Sequence, residues 1–511
     1  MAKVLMAAML AGVLAWGLEA DPQIRLTAVG KYVSGITGLG AAEIAAFDPE
    51  SRRLFSVNGA LNTLDILDLG DPAAPSLVSS IPMASCAPGS PTSVAVRQGL
   101  VAVAAENFID AQPGWVAFFT TGGDCLSAVV VGAGPDMVTF TPNGRYLLVA
   151  DEGEEGVGGD PPGSVAMIRI AGPDTAPAQS DVTVVGFDGF DKATLDPRIH
   201  RVNPSALVAL GIDLEPEYIA VSHDSRTAWV TLQENNAIGV LDIAAQRFSA
   251  LLPLGFKDHR LAGNALDPSD ADGGIRIANW PVLGMYQPDA IAAFEHQGET
   301  FLLTANEGDS RAAEETRVRS VALDSIAFPN AALLQIPANL GRLRITNLRG
   351  DTDGDGDFDE LYAFGGRSFS IWSASGQLVF DSGDLFERIT AAAVPAIFNS
   401  NGESAATFDT RSDDKGPEPE GIVVGKVFGR SYAFVGLERV GGIMVFDVTN
   451  PSRPTFIEYI NNHVIGGPIG AGDVAPEGLL FVKPEASPTG NALLIASHEI
   501  SGTITVFQIT K

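Results

Sequence analysis

A short motif recurs along this chain, and each copy precedes an apolar strand pattern. Six copies end in Asp or Glu, and a seventh keeps the pattern with Thr92 and Ser93. After each copy come an apolar stretch, a turn and a second apolar stretch, which is typical of two paired strands. The acidic residues of the six copies are Glu43, Asp136, Glu217, Asp289, Glu420 and Glu477. Seven such units predict a repeat fold, because one unit buries its faces only against its neighbours.

The second strand pattern of each unit also ends in polar or acidic residues. These residues are Asn58, Glu106, Glu152, Glu234, Glu307, Glu438 and Glu499. The shortest spacings between units match a four-stranded propeller blade. We therefore predict an all-β fold, a seven-bladed β-propeller. The segment 24–29 is predicted to add an outer strand to the last blade, which closes the ring and removes exposed sheet edges.

The domain organisation follows from these units. Residues 1–20 have the positive start, apolar run and small residues of a secretory signal. Residues 21–511 are predicted to form a single propeller domain, with insertions at about 172–215, 254–286 and 312–417 on one face. We expect an exported, periplasmic or extracellular protein, with no membrane span in the mature chain. We also expect a monomer.

The formal net charge of −30 makes nucleic acid and anionic membranes poor partners and divalent cations good ones. A simpler interpretation is that the charge keeps the protein soluble in a salty environment. Cys86 and Cys125 are the two cysteines. An exported context favours a disulfide between them, and two buried free thiols are the alternative.

In a propeller, the first strand of each blade lines the channel and the second strand returns to the same mouth. Both acidic series should therefore meet in one funnel, where repulsion favours cation binding. Oxygen ligands select hard cations, so we predict Ca²⁺, with an additional metal such as iron left open. The alternative is that these carboxylates accept backbone N–H groups and hold the blades together. The predicted ligands are Glu43, Asp136, Glu152, Glu217, Glu234, Asp289, Glu307, Glu420, Glu438, Glu477 and Glu499.

An Asp-rich segment provides a second calcium candidate. Its acids occupy positions 1, 3, 5, 7 and 9 of an EF-hand-type loop, with Gly at position 6. Position 12 is Tyr362 rather than Glu, so the loop departs from a full EF-hand, and Glu360 is a possible substitute ligand. A solvated acidic turn is the alternative. The predicted ligands are Asp351, Asp353, Asp355, Asp357 and Asp359.

Basic residues stand beside the acidic strand ends. They are Lys257, Arg311, Arg411, Lys415 and Arg439. They are predicted either to hold a bound anion, with phosphate the best match to Arg and metal, or to form ion pairs with neighbouring carboxylates. The sequence has no nucleophile elbow, Walker loop or His-Glu-x-x-His motif. Any chemistry would then use a metal-activated water, with Arg311, Arg411, Lys415 and Arg439 as the catalytic candidates.

Several longer stretches resemble the choice-of-anchor I family of exported bacterial proteins and the related animal mesenchyme-specific cell-surface glycoproteins. The resemblance implies an exported β-propeller. It also brings two expectations: the animal relatives are associated with biomineral formation, and bacterial relatives are often labelled alkaline phosphatase-like. The matching stretches are 134–144, 215–219, 287–291, 304–311, 350–357, 365–372, 411–421 and 475–479.

Three functional hypotheses follow. The first is a calcium-dependent phosphoesterase that acts on a small phosphorylated substrate. The second is a non-catalytic scaffold that binds calcium or mineral ions, or mediates adhesion, at the cell surface. The third is a sugar- or protein-binding propeller, which needs an aromatic platform; its candidates are Trp280, Tyr286 and Trp372.

Overall fold

The computed structural model describes residues 24–172, 175–203, 205, 207–402 and 407–511. The predicted secretory signal, residues 1–20, lies outside the described residues. The described chain is mostly β-structure, with seven four-stranded sheets and one five-stranded sheet. The number of four-stranded sheets equals the number of repeat units in the sequence.

We number the four-stranded sheets 1 to 7 in chain order. Sheet 1 consists of β2 (Ala45–Asp48), β3 (Arg53–Asn58), β4 (Thr63–Asp68) and β5 (Ser76–Pro82). Sheet 2 consists of β6 (Ser90–Arg97), β7 (Leu100–Glu106), β8 (Pro113–Thr120) and β9 (Cys125–Ala133). Sheet 3 consists of β10 (Pro135–Phe140), β11 (Tyr146–Asp151), β12 (Ser164–Arg169) and β13 (Val182–Val185). Sheet 4 consists of β14 (Pro216–Val221), β15 (Thr227–Leu232), β16 (Ala237–Asp242) and β17 (Arg247–Pro253). Sheet 5 consists of β20 (Ile291–His296), β21 (Glu299–Asn306), β25 (Ser368–Ser373) and β26 (Leu378–Asp381). Sheet 6 consists of β27 (Pro419–Val427), β28 (Arg430–Leu437), β29 (Ile443–Asp447) and β30 (Thr455–Ile460). Sheet 7 is β31 (Pro476–Val482), β32 (Leu493–His498), β33 (Thr503–Thr510) and the N-terminal strand β1 (Arg25–Val33).

The seven sheets form a closed ring. The first strand of each sheet contacts the first strand of the next, and β31 of sheet 7 contacts β2 of sheet 1. A separate apolar cluster fills each of the seven interfaces between neighbouring sheets. In one of them, Leu148 and Met167 of sheet 3 pack with Val230 of sheet 4. Each sheet is thus stabilised by its neighbours, as in other repeat folds.

The ring closes through the N-terminal strand. Strand β1 pairs antiparallel with β33, from Arg25 opposite Thr510 to Val33 opposite Thr503. It is therefore the outer strand of sheet 7. The prediction that residues 24–29 complete the last sheet is confirmed.

The remaining elements belong to insertions between the ring strands. The five-stranded sheet consists of β18 (Phe256–Asp258), β19 (Leu283–Met285), β22 (Glu315–Arg317), β23 (Arg344–Thr346) and β24 (Tyr362–Ala363). This sheet has its own apolar core, which includes Trp280, Leu343 and Leu361. The helices are α1 (Ala331–Leu334) and α2 (Leu385–Ala393), the 3₁₀ turns Met83–Ser85, Gln179–Asp181, Lys192–Thr194, Leu210–Ile212, Ala312–Glu314, Val318–Ser320 and Pro395–Ile397, and the π-helical turn Pro337–Gly341.

Two predicted insertion boundaries differ from the structure. Strand β13, inside predicted insertion 172–215, is the outer strand of sheet 3. Strands β25 and β26, inside predicted insertion 312–417, are the third and fourth strands of sheet 5. The sequence analysis missed β13, β25 and β26 because none of these three strands directly follows an acidic motif. In addition, a long insertion separates β25 from its partner β21.

Cys86 and Cys125 form a disulfide, the alternative that the sequence favoured over free thiols. It connects the turn after β5 with the first residue of β9, so it links sheets 1 and 2. Disulfides of this kind are typical of exported proteins. Within the ranges given above, no helix is both long enough and apolar enough to span a lipid bilayer.

Candidate metal centre

In four of the six acidic motifs, the acidic residue lies at a β-bulge. In sheet 4, Pro216 pairs with Leu232 and Ile219 pairs with Val230, so Glu217 and its neighbour have one opposing residue. The same kind of register shift occurs at the motif in sheets 2, 3, 6 and 7. A bulge re-aims the side chain that it displaces. Here it turns the motif residue towards the axis of the ring.

Glycines after the motif let neighbouring strands approach closely at the axis. A Cβ atom on Gly421 would lie 2.2 Å from the carbonyl oxygen of Glu477, and one on Gly478 would lie 2.4 Å from that of Glu43. No side chain fits at such distances without a shift of the backbone. The Pro-Glu-Gly motifs of sheets 6 and 7 therefore fix both the position of the acid and the spacing of the inner strands.

A cavity of about 200 Å³ lies at the axis, and acidic side chains from several sheets line it. The sequence predicted this convergence, and the structure brings these residues together from positions far apart in the chain. We call this cavity and the carboxylates around it the hub. Its acidic lining residues are Asp136, Glu152, Glu217, Asp289, Glu307, Glu420 and Glu477.

The four other predicted hub ligands lie at the edge of the cavity. Glu234 clusters with Glu152 and Glu217, and Glu438 clusters with Glu307. Glu43 and Glu499 lie close enough to Glu477 that their charges raise its pKa, after burial as the main cause. Asn58, which ends β3, instead donates to the buried Asp65 and plays no part in the hub.

Burial and mutual repulsion raise the pKa values of the acids that line the hub cavity and of Glu43 and Glu106 beside it. For Glu43 the pKa rises to about 8, first through burial and then through Glu499, Asp136 and Glu106. Burial likewise raises the pKa of Glu106 to about 7 and that of Asp136 to about 6. The unliganded hub therefore holds protons at a pH where exposed carboxylates have lost them.

Tyr218 forms the floor of the hub. It lines both the acidic cavity and a second cavity of about 310 Å³. Burial raises the pKa of its phenol, and the charges of Asp289, Asp136 and Glu477 raise it further. Tyr218 therefore stays neutral, and it lines both cavities together with Ile44, Ser93 and Met137.

One half of the hub has no basic partner. Carboxylate oxygens of Glu152, Glu217 and Glu234, which we call the unpaired half, lie within 4.8 Å of one another. Burial raises the pKa of Glu217 well above its usual value, followed by the charges of Glu234 and Glu152. Glu234 is 4% exposed, and its Oε2 atom has no hydrogen-bond partner. No Lys or Arg of the described residues forms an ion pair with these three acids.

The other half is neutralised by the protein itself. Glu307, Glu418 and Glu438, which we call the paired half, also have carboxylate oxygens within 4.8 Å of one another. The basic contacts are Arg411 Nε and Arg439 Nε to Glu418, Arg439 Nη1 to Glu438 at 2.9 Å, and Lys415 Nζ to Glu307 at 3.9 Å and to Asp309 at 2.8 Å. Burial acts to raise the pKa of Glu418, but Arg411 and Lys415 outweigh it and the pKa is lowered.

All four predicted catalytic residues form ion pairs, which supports the ion-pair interpretation that the sequence left open. Arg311 binds Glu215 and also contacts Asp160. Lys257, placed beside the acidic ends by the sequence, instead pairs with Asp381 and donates to the carbonyls of Gly366 and Gly383.

Sequence reasoning missed Glu215 and Glu418. Each is the first acid of a Glu-Pro-Glu motif, and each binds arginine while the second acid faces the hub. The doublet was visible in the sequence as a signal. Sequence reasoning also missed Gln233, whose amide donates to Glu307 at 3.0 Å. An amide side chain adds no charge to the acidic pattern.

The Asp-rich segment does not assemble as one five-acid loop. Asp351, Asp353 and Asp355 form one exposed group, whereas Asp357 and Asp359 group with Asp324 from another segment. Thr352, which lies between Asp351 and Asp353, donates its N–H and hydroxyl to Asp359, so these donors occupy one oxygen of this carboxylate. Backbone N–H groups also bind Asp351, as in a self-satisfied acidic turn.

The structure contains no exposed aromatic platform at the predicted positions. Trp280, Tyr286 and Trp372 are all buried, and Tyr286 packs edge-on against Trp372. The requirement of the third hypothesis, a sugar-binding surface built from these residues, is therefore not met.

Comparisons with known proteins agree with this architecture. The model of the choice-of-anchor I domain family matches residues 43–451. Gigasin-3a of Magallana gigas is 32% identical over 190 residues, which cover 34% of this chain and 66% of that protein. A mesenchyme-specific cell surface glycoprotein of Strongylocentrotus purpuratus is 30% identical over 273 residues, 46% of this chain and 35% of that protein. This chain therefore spans less than two thirds of either relative.

Among solved structures, the WD40 domain of Toxoplasma gondii coronin superposes with a TM-score of 0.50 at 9% identity, and covers 97% of this chain and 88% of that one. At this identity the likeness concerns the fold alone. The family match covers most of the chain, including five of the six acidic motifs. On this basis, the chain belongs to the choice-of-anchor I domain family.

Proposed function

We propose that this protein is an exported calcium-binding β-propeller and that its calcium-loaded hub hydrolyses phosphoesters. The observation that carries the calcium proposal is the unpaired half, where Glu152, Glu217 and Glu234 converge without a basic partner. Three carboxylates in this arrangement must keep protons or bind cations. Oxygen-only donors suit Ca²⁺, which accepts six to eight oxygen ligands in loose geometry.

The residues of the two halves have different roles in this proposal. The unpaired half would hold the metal, with Asp136 and Asp289 close by as further oxygen donors. Arg411, Lys415 and Arg439 already neutralise the paired half. The hub on its own therefore repels phosphate, and phosphate binding depends on loading the unpaired half with cation.

Bound calcium would polarise a phosphoryl oxygen and lower the pKa of a coordinated water. The protein residues would orient the substrate. Lys415 and Arg439 pair with acids of the metal-free hub, and in the calcium-loaded hub they would exchange part of these contacts for the other phosphoryl oxygens. Tyr218, neutral at the floor, would close the lower side of the cavity to water. A small phosphorylated substrate enters such a site from the acidic mouth.

Calcium binding is tested with the double variant Glu217→Gln/Glu234→Gln. We expect its Ca²⁺ affinity to fall more than about 100-fold, because losing even an outer-shell partner costs about 10- to 100-fold. Its metal-free form should melt at a higher temperature than the metal-free wild type, since two repelling charges are gone. Isothermal titration and thermal denaturation measure the two effects. If instead the carboxylates hold the sheets together, the metal-free variant melts at a lower temperature.

Two further variants sharpen this test. Glu299→Gln removes an exposed acid on β21 and should bind Ca²⁺ as the wild type does. Tb³⁺ can replace Ca²⁺, and its luminescence on tyrosine excitation should drop in Tyr218→Phe, because Tyr218 lines the same cavity. Undiminished luminescence in that variant would place the ion elsewhere.

Catalysis needs a separate assay. The calcium-loaded wild type should hydrolyse a generic phosphomonoester or diester, and a chelator should abolish this activity until Ca²⁺ is restored. The variant Glu217→Gln/Glu234→Gln should lose activity, whereas Glu299→Gln should keep it. A metal-replete wild type that turns over neither ester leaves the other candidate function, a calcium- or mineral-binding scaffold that is stabilised by Ca²⁺ without turnover.

A further inference from the structure

A second polar cavity, outside the hub, lies between the first insertion and the segment that precedes the Asp-rich turn. Its volume is about 250 Å³. Three basic residues line it, Lys192, Arg201 and Arg349, together with the acid Asp196. None of its lining residues belongs to the hub cavity. In a chain with a net charge of −30, three cations around one cavity are unexpected.

The three basic residues keep donors that the described residues do not use. Lys192 Nζ donates to the carbonyl of Ser205 alone. Arg201 uses Nε and Nη2 for Asp213 and a backbone carbonyl, which leaves Nη1. Arg349 uses Nη2 for two backbone carbonyls and places its guanidinium over the rings of Phe256 and Tyr362.

The lining acid does not compete for these donors. Asp196 accepts two hydrogen bonds from the guanidinium of Arg198, at 3.0 and 2.7 Å, and a third from the Arg198 N–H. The hydrogen bonds from Arg198 lower the pKa of Asp196 to about 2. Burial lowers the pKa of Lys192, and the charge of Arg201 lowers it further, whereas the charge of Asp213 raises it. The net lowering indicates that the positive charge of Lys192 is incompletely compensated.

We propose that this cavity binds a small phosphate-type oxyanion through Lys192, Arg201 and Arg349. A tetrahedral dianion offers several acceptor oxygens, which matches one ammonium and two guanidinium groups that approach from different segments. The stacked position of Arg349 fixes its plane before binding, so less conformational entropy is lost. The same chemistry is offered by free inorganic phosphate and by the end of a phosphomonoester.

The test is isothermal titration of the full chain in chelator, with inorganic phosphate and with phenyl phosphate, at constant ionic strength. Saturable binding of inorganic phosphate is expected, and Lys192→Gln should weaken it by about tenfold, the loss of one charge-assisted hydrogen bond. Phenyl phosphate binding as well would identify a monoester end as an accepted ligand, and phosphate alone would identify the free ion. Arg226→Gln, an exposed arginine beside Asp224, is the matched control and should change nothing.

The proposal is overturned if the wild type shows no saturable phosphate binding, or if Lys192→Gln and Arg349→Gln both bind as the wild type does. Arg349→Gln removes a packed side chain and can fail to fold; Lys192→Gln then decides, because Lys192 makes a single backbone contact. The hub variant Glu217→Gln/Glu234→Gln should retain phosphate binding here. Calcium titration therefore tests the hub proposal, and phosphate titration in chelator tests this one, so either proposal can fail without the other.

Discussion

The protein stripped of divalent cations is expected to lose stability as the pH rises from about 5 to about 8. The folded state raises the pKa of Asp136 to about 6, of Glu106 and Glu307 to about 7 and of Glu43 to about 8, with burial as the first cause. The unfolded chain releases these protons near pH 4. Between these values the folded state binds more protons than the unfolded state, so stability falls with pH.

Calcium should remove this pH dependence. A ligand present at 100 times its dissociation constant stabilises the native state by about 2.7 kcal/mol. It binds best to ionised carboxylates, so its effect grows over the same pH range in which the metal-free protein weakens. Calorimetric melting temperatures at pH 5, 6, 7 and 8, in chelator and in Ca²⁺, measure both trends. Glu217→Gln/Glu234→Gln should make the chelator curve less steep, because two further acids with raised pKa values are removed, and should abolish the calcium response.

Glu418 sets the acidic end of this pH dependence. The pKa of Glu418 is lowered by Arg411 and Lys415, so its contribution has the opposite sign and is lost as the pH falls below about 4. Stability of the metal-free protein should therefore peak in weak acid. A melting temperature in chelator that stays constant or increases from pH 5 to pH 8 contradicts the repulsive hub.

Replacing Arg367 is expected to cause a large loss of stability. This arginine is 4% exposed, and Nη1 binds Glu387 at 2.6 Å and the carbonyl of Asp267 at 2.8 Å. Its Nη2 donates to the carbonyls of Ser412 and Asp414. Arg367→Leu leaves a buried carboxylate and three carbonyls without this donor. Breaking such a buried pair costs about 3–5 kcal/mol.

Urea denaturation of Arg367→Leu measures this loss. Arg388→Leu is the matched control, because Arg388 of helix α2 is 42% exposed and pairs with Asp384, the residue that precedes this helix. Exposed pairs contribute about 0–1 kcal/mol. Equal losses of unfolding free energy in the two variants would contradict the large effect expected for Arg367. Calcium affinity should be preserved in folded Arg367→Leu, because this residue lies outside the hub lining.

The repeat made the fold and the hub predictable from sequence, since strands after each acidic motif could be recognised by period and turn chemistry. The same reliance on the motif explains the errors. Strands β25 and β26 follow no motif, and their pairing with β21 depends on contacts across a long insertion. The division of the hub into halves was also hidden, because Glu418 and Lys415 meet Glu307 only after folding.

The basic residues show a further limit. The sequence placed Arg411, Lys415 and Arg439 beside the acids, but charge pattern alone cannot decide between an ion pair and a free donor. In the Asp-rich segment, the acids form two groups rather than one, and Thr352 donates to Asp359. Hydroxyl and backbone donors of this kind compete for carboxylates and leave no trace in the spacing of acids.

The pairing of β1 with β33 imposes an order of assembly on the chain. Five of the seven sheets use strands that follow one another in sequence, and these sheets can form from successive hairpins. Sheet 7 joins Arg25 to Thr510, the most distant pairing in the sheet. Such contacts form late, because a large loop must close before they contribute. The ring of sheets therefore closes only when the last strand of the chain is available to pair with the first.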